Sequence, residues 1–351
     1  YIHMVMKNIY LISIAAAGLM LTSCDKVSPT GILIGNTSVD DRVEMSASYL
    51  LLGGREDYVF KVEIPDNPDD YTFLVGSDSH MTTDAGRLQE MMDIMLNNND
   101  LMCCHLGDIV DTKPEYFSIL HNVLEDYRAK YAKKKGYIYN RDDGYYYVED
   151  DKGQLVLLPK AMQDLIQFPF YVTVGNHDIT HNGWALFKDD FKASFFQVLV
   201  PVNVSDTEGK GTVDRFIFLD SANGSLGSFQ TDIINSELML GDKDVKTRNL
   251  FVFTHTNFFR PQILEIASTF CREEQYFLLE KFSQWKTDIV FAGHVHMWDE
   301  RVFGGVQHYT LESMSERNSP KPGDYLLRVH VKGDGKYEVE KVHMDYVAPK
   351  K

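Results

Sequence analysis

One local pattern, repeated five times, constrains the fold of this chain more than any other feature. An apolar run of strand length stops at a residue able to bind a metal or move a proton. Leu101-Met-Cys-Cys-His-Leu-Gly-Asp-Ile-Val-Asp111 shows it in full, with the apolar run ending at Gly107 and two carboxylates, Asp108 and Asp111, following. Glycine lets the backbone turn sharply off a strand end and present the next side chain at the sheet's carboxyl edge. Tyr71 to Gly76 likewise runs into Ser77-Asp78-Ser79-His80, and Phe170 to Val174 into Gly175-Asn176-His177-Asp178. Asn249 to Phe253 ends at Thr254-His255, and Asp288 to Ala292 at Gly293-His294-Val295-His296. A sixth run, Arg215 to Leu219, leads into Asp220-Ser221-Ala222-Asn223-Gly224. Helical spacing appears between these runs, as in Leu88, Met91, Met92, Met95 and Leu96, around Trp184 to Phe196, and within 262–285. Strand and helix in alternation make an α/β sheet, whose strand-end loops share one edge and form ligand sites there.

The rest of the chain reads as additions to that alternation. Residues 24–66 are polar and turn-rich, giving a linker and an N-terminal edge strand at Tyr58 to Ile64. The main domain then covers 67–349, with an insertion at about 113–163. Within it, Pro114 suits the first turn of a helix whose apolar stripe is Phe117, Leu120, Leu124, Tyr127 and Tyr131. Tyr137-Ile-Tyr, Tyr145-Tyr-Tyr-Val and Leu155-Val-Leu-Leu follow as strand-like runs of a small meander, separated by Asp143-Gly144 and Lys152-Gly153. Its tyrosines either wall a substrate pocket or cover a small exposed sheet. Tyr325 to Val331 and Tyr337 to Tyr346 alternate as an antiparallel pair turning at Gly333-Asp-Gly335.

Charge and cysteine usage narrow the function. A formal net charge of -16 excludes a nucleic-acid groove, which needs clustered Lys and Arg, and the one short basic run is Lys133-Lys134-Lys135. Met6-Lys7 followed by the apolar run Ile9 to Met20 has the form of a signal-peptide core, too short to span a bilayer. It ends in Leu21-Thr22-Ser23-Cys24, which resembles the lipobox of bacterial lipoproteins. The resemblance implies removal of residues 1–23, lipidation of Cys24 and a soluble domain tethered to the cell envelope, on its periplasmic or surface side. Cys103 and Cys104 are adjacent on a strand and face opposite ways, so they are poor disulfide partners; with Cys271 they read as buried thiols.

Asp, Asn and His side chains suit borderline metals such as Zn, Fe or Mn, and no thiolate is among those at the five strand ends. In order along the chain they spell D-x-H, GD-x-x-D, GNH-D, a lone H and GH-x-H. This series resembles that of the calcineurin-like metallophosphoesterases, from about Tyr71 to Glu312 and interrupted by the insertion. The resemblance implies a four-layer αββα sandwich of two mixed β-sheets and a dinuclear metal centre. Asp78, His80, Asp108 and His296 would hold one ion, and Asp108, Asn176, His255 and His294 the other. His177 would act as general acid oriented by Asp111, with Asp178 supporting the site. The implied reaction is hydrolysis of a small phosphoester by a hydroxide shared between the metals. Thr112-Lys113 stands where phosphoprotein phosphatases carry Arg-Gly, and Asp111 where purple acid phosphatases carry a ligating Tyr. Leu219-Asp220-Ser221 is more similar to bacterial phosphodiesterases of the cyclic-nucleotide type, which gives diesters a slight preference over monoesters. Ser221 and Asn223 read first as a structural turn and second as substrate contacts, His181 is a further candidate for substrate contact, and His105 reads as a satisfied core histidine. The alternative is a non-catalytic envelope lipoprotein that binds a ligand on the same scaffold.

Overall fold

The computed structural model describes residues 37–52, 59–61, 70–202, 211–236, 240, 245–259, 270–315 and 323–347. The expected signal peptide and Cys24 lie outside them. In chain order the first elements are α1 (Val39–Leu52), β1 (Val59–Lys61), β2 (Tyr71–Gly76), α2 (Gly86–Asn98), β3 (Cys103–His105) and α3 (Glu115–Lys134). The insertion continues with β4 (Ile138–Asn140), β5 (Tyr145–Glu149), β6 (Leu155–Leu157) and α4 (Lys160–Leu165). Then come β7 (Phe170–Val172), α5 (Asn176–Ile179), α6 (Gly183–Phe191), β8 (Phe196–Val202), β9 (Thr212–Phe218) and α7 (Gly227–Asn235). The chain closes with β10 (Lys246–Phe253), α8 (Arg272–Gln284), β11 (Ile289–Ala292), β12 (Asp299–Phe303), β13 (Val306–Thr310), β14 (Tyr325–Val331) and β15 (Tyr337–His343).

Two mixed sheets face each other. One has seven strands in the order β1-β8-β9-β10-β11-β13-β12, the other five in the order β15-β14-β2-β3-β7. Alternation along each strand builds the layers. Phe73 and Val75 of β2, Phe216 and Phe218 of β9, and Phe251 and Phe253 of β10 point into one core between the sheets. There Phe218 and Phe253 stack at 4.6 Å and Phe73 meets Phe216 edge-on at 5.0 Å. The intervening residues point outward. Leu74 and Cys103 pack beneath α2, α3 and α6, whereas Ile217, Leu219, Leu250 and Val252 pack beneath α1, α7 and α8. Three apolar layers thus separate helices, sheet, sheet and helices, the four-layer αββα architecture. Cys103 and Cys104 fall in different cores, as adjacent strand residues must.

The stretch before residue 66, expected as linker and edge strand, also holds a helix. In α1, Val39, Val43 and Ala47 are buried one turn apart, and Ser38 caps the start by accepting the Asp41 amide at 3.1 Å. Three small apolar residues in a polar stretch make a weak periodic signal. Strand β8 replaces the end of a helical segment expected to reach Phe196. Pro201 marks that run as poor strand material, yet β8 pairs parallel to the edge strand β1 on one side and antiparallel to β9 on the other. Strands β12 and β13 are likewise additions to the sequence reading. In the insertion, β4, β5 and β6 form a separate antiparallel sheet. Tyr146 is buried there with Ala132, Leu158 and Ile166, while Tyr145 lies outside on the exposed face, so the tyrosines clothe this small sheet.

Candidate functional site

The five patterned strands of the two sheets, β2, β3, β7, β10 and β11, end at one edge, and their loops meet there. Several of these loops hold non-glycine residues in left-handed backbone conformations: Asp78 (φ 52), His80 (φ 40), Asp108 (φ 50), His294 (φ 72) and His296 (φ 54). Each such residue costs about 1 kcal/mol or more, and this strain is typical of positions that the surroundings force on a functional side chain. Glycines permit the close approach. A Cβ on Gly175 would fall on the Asp108 carboxylate, and one on Gly293 would fall on the Ser77 hydroxyl and Asp78 carboxylate.

The side chains converge in two neighbouring groups. Asp78, His80 and His296 form the first, and Asp108, His255 and His294 the second, each with ligand atoms close enough to hold one ion. In the first, His80 Nε2 lies 3.0 Å from His296 Nε2, which lies 3.2 Å from Asp78 Oδ1. In the second, His255 Nε2 faces Asn176 Oδ1 at 3.0 Å and His294 Nδ1 at 3.1 Å. Asp108 Oδ2 sits between the groups, 3.5 Å from His255 Nε2 and 3.7 Å from His80 Nε2. Each group draws on both sheets, with Asp78, His80 and Asp108 from the five-stranded one and His255, His294 and His296 from the seven-stranded one.

Tautomer and charge fit a cation. His255 donates from Nδ1 to the Leu106 carbonyl at 2.8 Å, which leaves a lone pair on Nε2. That lone pair points at an amide oxygen and another imidazole nitrogen, an acceptor-rich arrangement that a cation relieves. Burial raises the pKa of Asp78, but the His296 hydrogen bond and the charges of His255, His296 and His80 hold it well below the carboxylate range. Burial opposes ionisation of Asp108 too, and the charges of His255, His80 and His177 lower it in net. Burial depresses His80 against the pull of Asp108 and Asp78. Ionised carboxylates beside a neutral imidazole are what a metal needs as ligands.

A family model described as calcineurin-like phosphoesterase matches residues 71–298. The chain belongs to the calcineurin-like phosphoesterase family. No curated protein matches it. Among solved structures it is similar to GAP50, the anchor in the inner membrane complex of Plasmodium, with TM-score 0.45 and 14% identity over 79% of this chain and 90% of that one. A dimetal phosphatase from Danio rerio gives TM-score 0.43 and 12% identity over 78% and 99%. An archaeal phosphodiesterase gives TM-score 0.34 and 10% identity over 77% and 99%.

Around this phosphoesterase centre the other candidate residues take distinct places. His177 stands edge-on to His80, ring centroids 4.5 Å apart, with Nε2 at 3.9 Å from Asp108 Oδ2 and Nδ1 at 3.3 Å from Asp111 Oδ1. Its amide donates to Asp108 Oδ1 at 2.7 Å. Asp178 is fully buried and accepts from the amides of Ile109 and Gly175, both at 2.9 Å, tying the Asp108 loop to the Asn176 loop. His181 is exposed and lies 3.2 Å from the Thr112 carbonyl. Ser221 is buried and accepts from the amides of His255 at 3.1 Å and Thr256 at 2.9 Å, so it supports a loop. Asn223 accepts from Arg42 at 2.9 Å. His105 is fully buried as expected of a core residue, but neither ring nitrogen has a hydrogen-bond partner among the described residues.

Supporting residues absent from the sequence reading are Ser77, which donates to Asp78 Oδ2, and Ser313, which donates to the Asp78 carbonyl at 2.7 Å. Ser77 abuts the motif and could have been found there. Ser313 lies after the last motif and carries no local signal.

Proposed function

We propose that this protein hydrolyses small phosphoesters, with a slight preference for diesters, using two transition-metal ions of the Mn, Fe or Zn type. The observation that carries this reading is the placement of Asp108 Oδ2 between two imidazole groups, 3.5 Å from His255 and 3.7 Å from His80. Asp78, His80, Asp108 and His296 would hold one ion, and Asp108, Asn176, His255 and His294 the other. Bound there, the ions supply Lewis-acid polarisation of the phosphoryl oxygens and activation of water at neutral pH. Two divalent ions against the two carboxylates, Asp78 and Asp108, would leave about two positive charges, which would attract a phosphate to an acidic protein.

The chain's own residues do the rest. Asp111 turns the His177 ring, so that Nε2 gives a proton to the departing alkoxide. His177, His80 and Asp111 also lie close enough to hold an ion, but a cation there would take the ring nitrogen that Asp111 orients. We therefore assign His177 and Asp111 to proton transfer. Asp178 fixes the spacing of Asp108 and Asn176 through backbone amides. A pocket beside His80, with Thr82, Arg87, Ser315 and Tyr346 in its lining, takes the group esterified to the phosphate. The signal-like run ending at Cys24 supports envelope anchoring, which radiolabelled palmitate incorporation, lost in Cys24→Ala, would test.

The experiment for the main reading loads the protein with Mn or Zn and compares hydrolysis of an aryl phosphodiester with that of the matching monoester. Asp108→Asn is the control. Faster diester turnover that is lost in the control supports the reading. Monoester preference recasts the protein as a scavenging phosphatase. No turnover with two metals bound favours a ligand-binding lipoprotein.

A further inference from the structure

Helix α1 precedes the matched family region, yet it contributes Arg42, one of two arginines among the largest fully buried side chains of the described residues. Its guanidinium grips Asp220 with two parallel hydrogen bonds, Nε to Oδ2 and Nη2 to Oδ1, both at 2.8 Å, and neither side chain is exposed. Nη2 also donates to Asn223 Oδ1 at 2.9 Å, and Nη1 to the Thr37 carbonyl at 2.7 Å. Asp220 and Asn223 bracket Ser221 in the loop after β9.

Ser221 in turn grips the loop after β10. Its hydroxyl accepts from the amides of His255 and Thr256 and lies 2.8 Å from Thr254 Oγ1, while its carbonyl accepts from Thr256 Oγ1 at 2.6 Å. That loop aims His255 Nε2 at Asn176, His294 and Asp108. Buried polar contacts, joined through the chain from Asp220 to Ser221, therefore link the N-terminal helix to one group of the centre. The other group, Asp78, His80 and His296, has a different support, namely Ser77, Ser313 and the His294 amide donating to Asp78.

We infer that Arg42 is a positioning residue for one half of the centre, setting His255 through Asp220 and Ser221, and that α1 is a working part of the site. This inference rests on the proposed two-metal reading. Its consequence is asymmetric. Loosening the Arg42 grip weakens the ion held with His255 and spares the ion held with His296.

The variant of choice is Arg42→Lys in the full chain. Lysine keeps the positive charge opposite the buried Asp220 but loses the rigid fork. Ser221→Ala is the second variant; it removes the acceptor for two amides without leaving a buried charge unpaired. Mn(II) titration followed by electron paramagnetic resonance reads both ions, because paired Mn(II) ions give a coupled spectrum and a single ion does not. In both variants one of the two binding steps is expected to lose affinity about tenfold or more, the size of effect seen when residues behind a metal ligand are removed. The coupled signal falls and the single-ion signal remains. In the double variant the losses are expected to fall short of their sum. Both steps unchanged in Arg42→Lys, or both weakened equally, overturns the inference while wild type still binding two ions upholds the two-metal reading. Wild type binding no Mn(II) sinks that reading and this inference with it.

Discussion

His177→Ala separates proton donation from metal binding, and the geometry sets both expectations. The side chain contributes Nε2, 3.9 Å from Asp108 Oδ2, and Nδ1, 3.3 Å from Asp111. The contact that holds Asp108, however, is the His177 backbone amide at 2.7 Å, and alanine keeps it. Metal content is therefore expected to stay near wild type. A missing general acid costs about 10²–10⁴-fold, or roughly 3–5 kcal/mol of barrier, when the leaving group is a strongly basic alkoxide. Nitrophenolate leaves without a proton, so its ester is expected to lose less than about tenfold. The assay measures kcat/KM of wild type and variant on a series of phosphodiesters differing only in leaving-group basicity, with metal analysis of each sample. A wild-type slope that is shallow and a variant slope that is steep would bear the assignment out. Equal losses for alkyl and nitrophenyl esters would refute it, and loss of metal would show that the histidine is a ligand.

Other perturbations test other parts of the structure. Asp108→Asn is expected to deplete both ions, read by metal analysis after dialysis, because its Oδ2 faces both groups; retention of both ions would dismiss its bridging role. Burial depresses His105 from 6.5 to about 3, so below pH 6.5 the unfolded chain takes up a proton that the folded chain refuses. Stability from this residue is complete above that pH and falls as pH drops towards 3, by about 2 kcal/mol at pH 5, and urea unfolding of the metal-free protein should show a flatter pH dependence in His105→Leu. Burial pushes the Cys103 and Cys104 thiols well above their usual range and Cys271 up to about 11. Alkylation with iodoacetamide at pH 8 should therefore leave Cys103 and Cys104 unmodified in the native protein and release them on unfolding, as read by peptide mass.

The ligand-bearing loops were legible because each one announces itself locally: an apolar run, in four of the five a glycine, then Asp, Asn or His. Gly175 and Gly293 show why that punctuation is obligatory, since a side chain at either would displace a carboxylate or its partner. What escaped was written at long range. The sequence shows Arg42 as one charge in a polar stretch, and its partner Asp220 lies far along the chain. Ser313 meets Asp78 only after the sheet has closed. Strand β8 contains Pro201, and its place is settled by pairing with β9, which no local window contains. Asn223 was legible as a structural turn residue, but the hold of Arg42 on its oxygen was not. For His105 burial was foreseen, and no protein group among the described residues meets its ring nitrogens.

The two groups at the centre each take side chains from both sheets, and this gives bound metal a second job. The apolar core between the sheets is non-directional and resists sliding only weakly at its rim, where the strands end. On the proposed two-metal reading, an ion held by Asp78 and His80 on one side and His296 on the other would rivet the rim shut, and a second held by Asp108, His255 and His294 would do so again. Any ligand that binds only the folded chain raises its stability with the logarithm of ligand concentration. Metal supply would then govern how long each molecule survives proteolysis as well as how fast it turns over, so that scarcity removes idle copies and abundance preserves loaded ones.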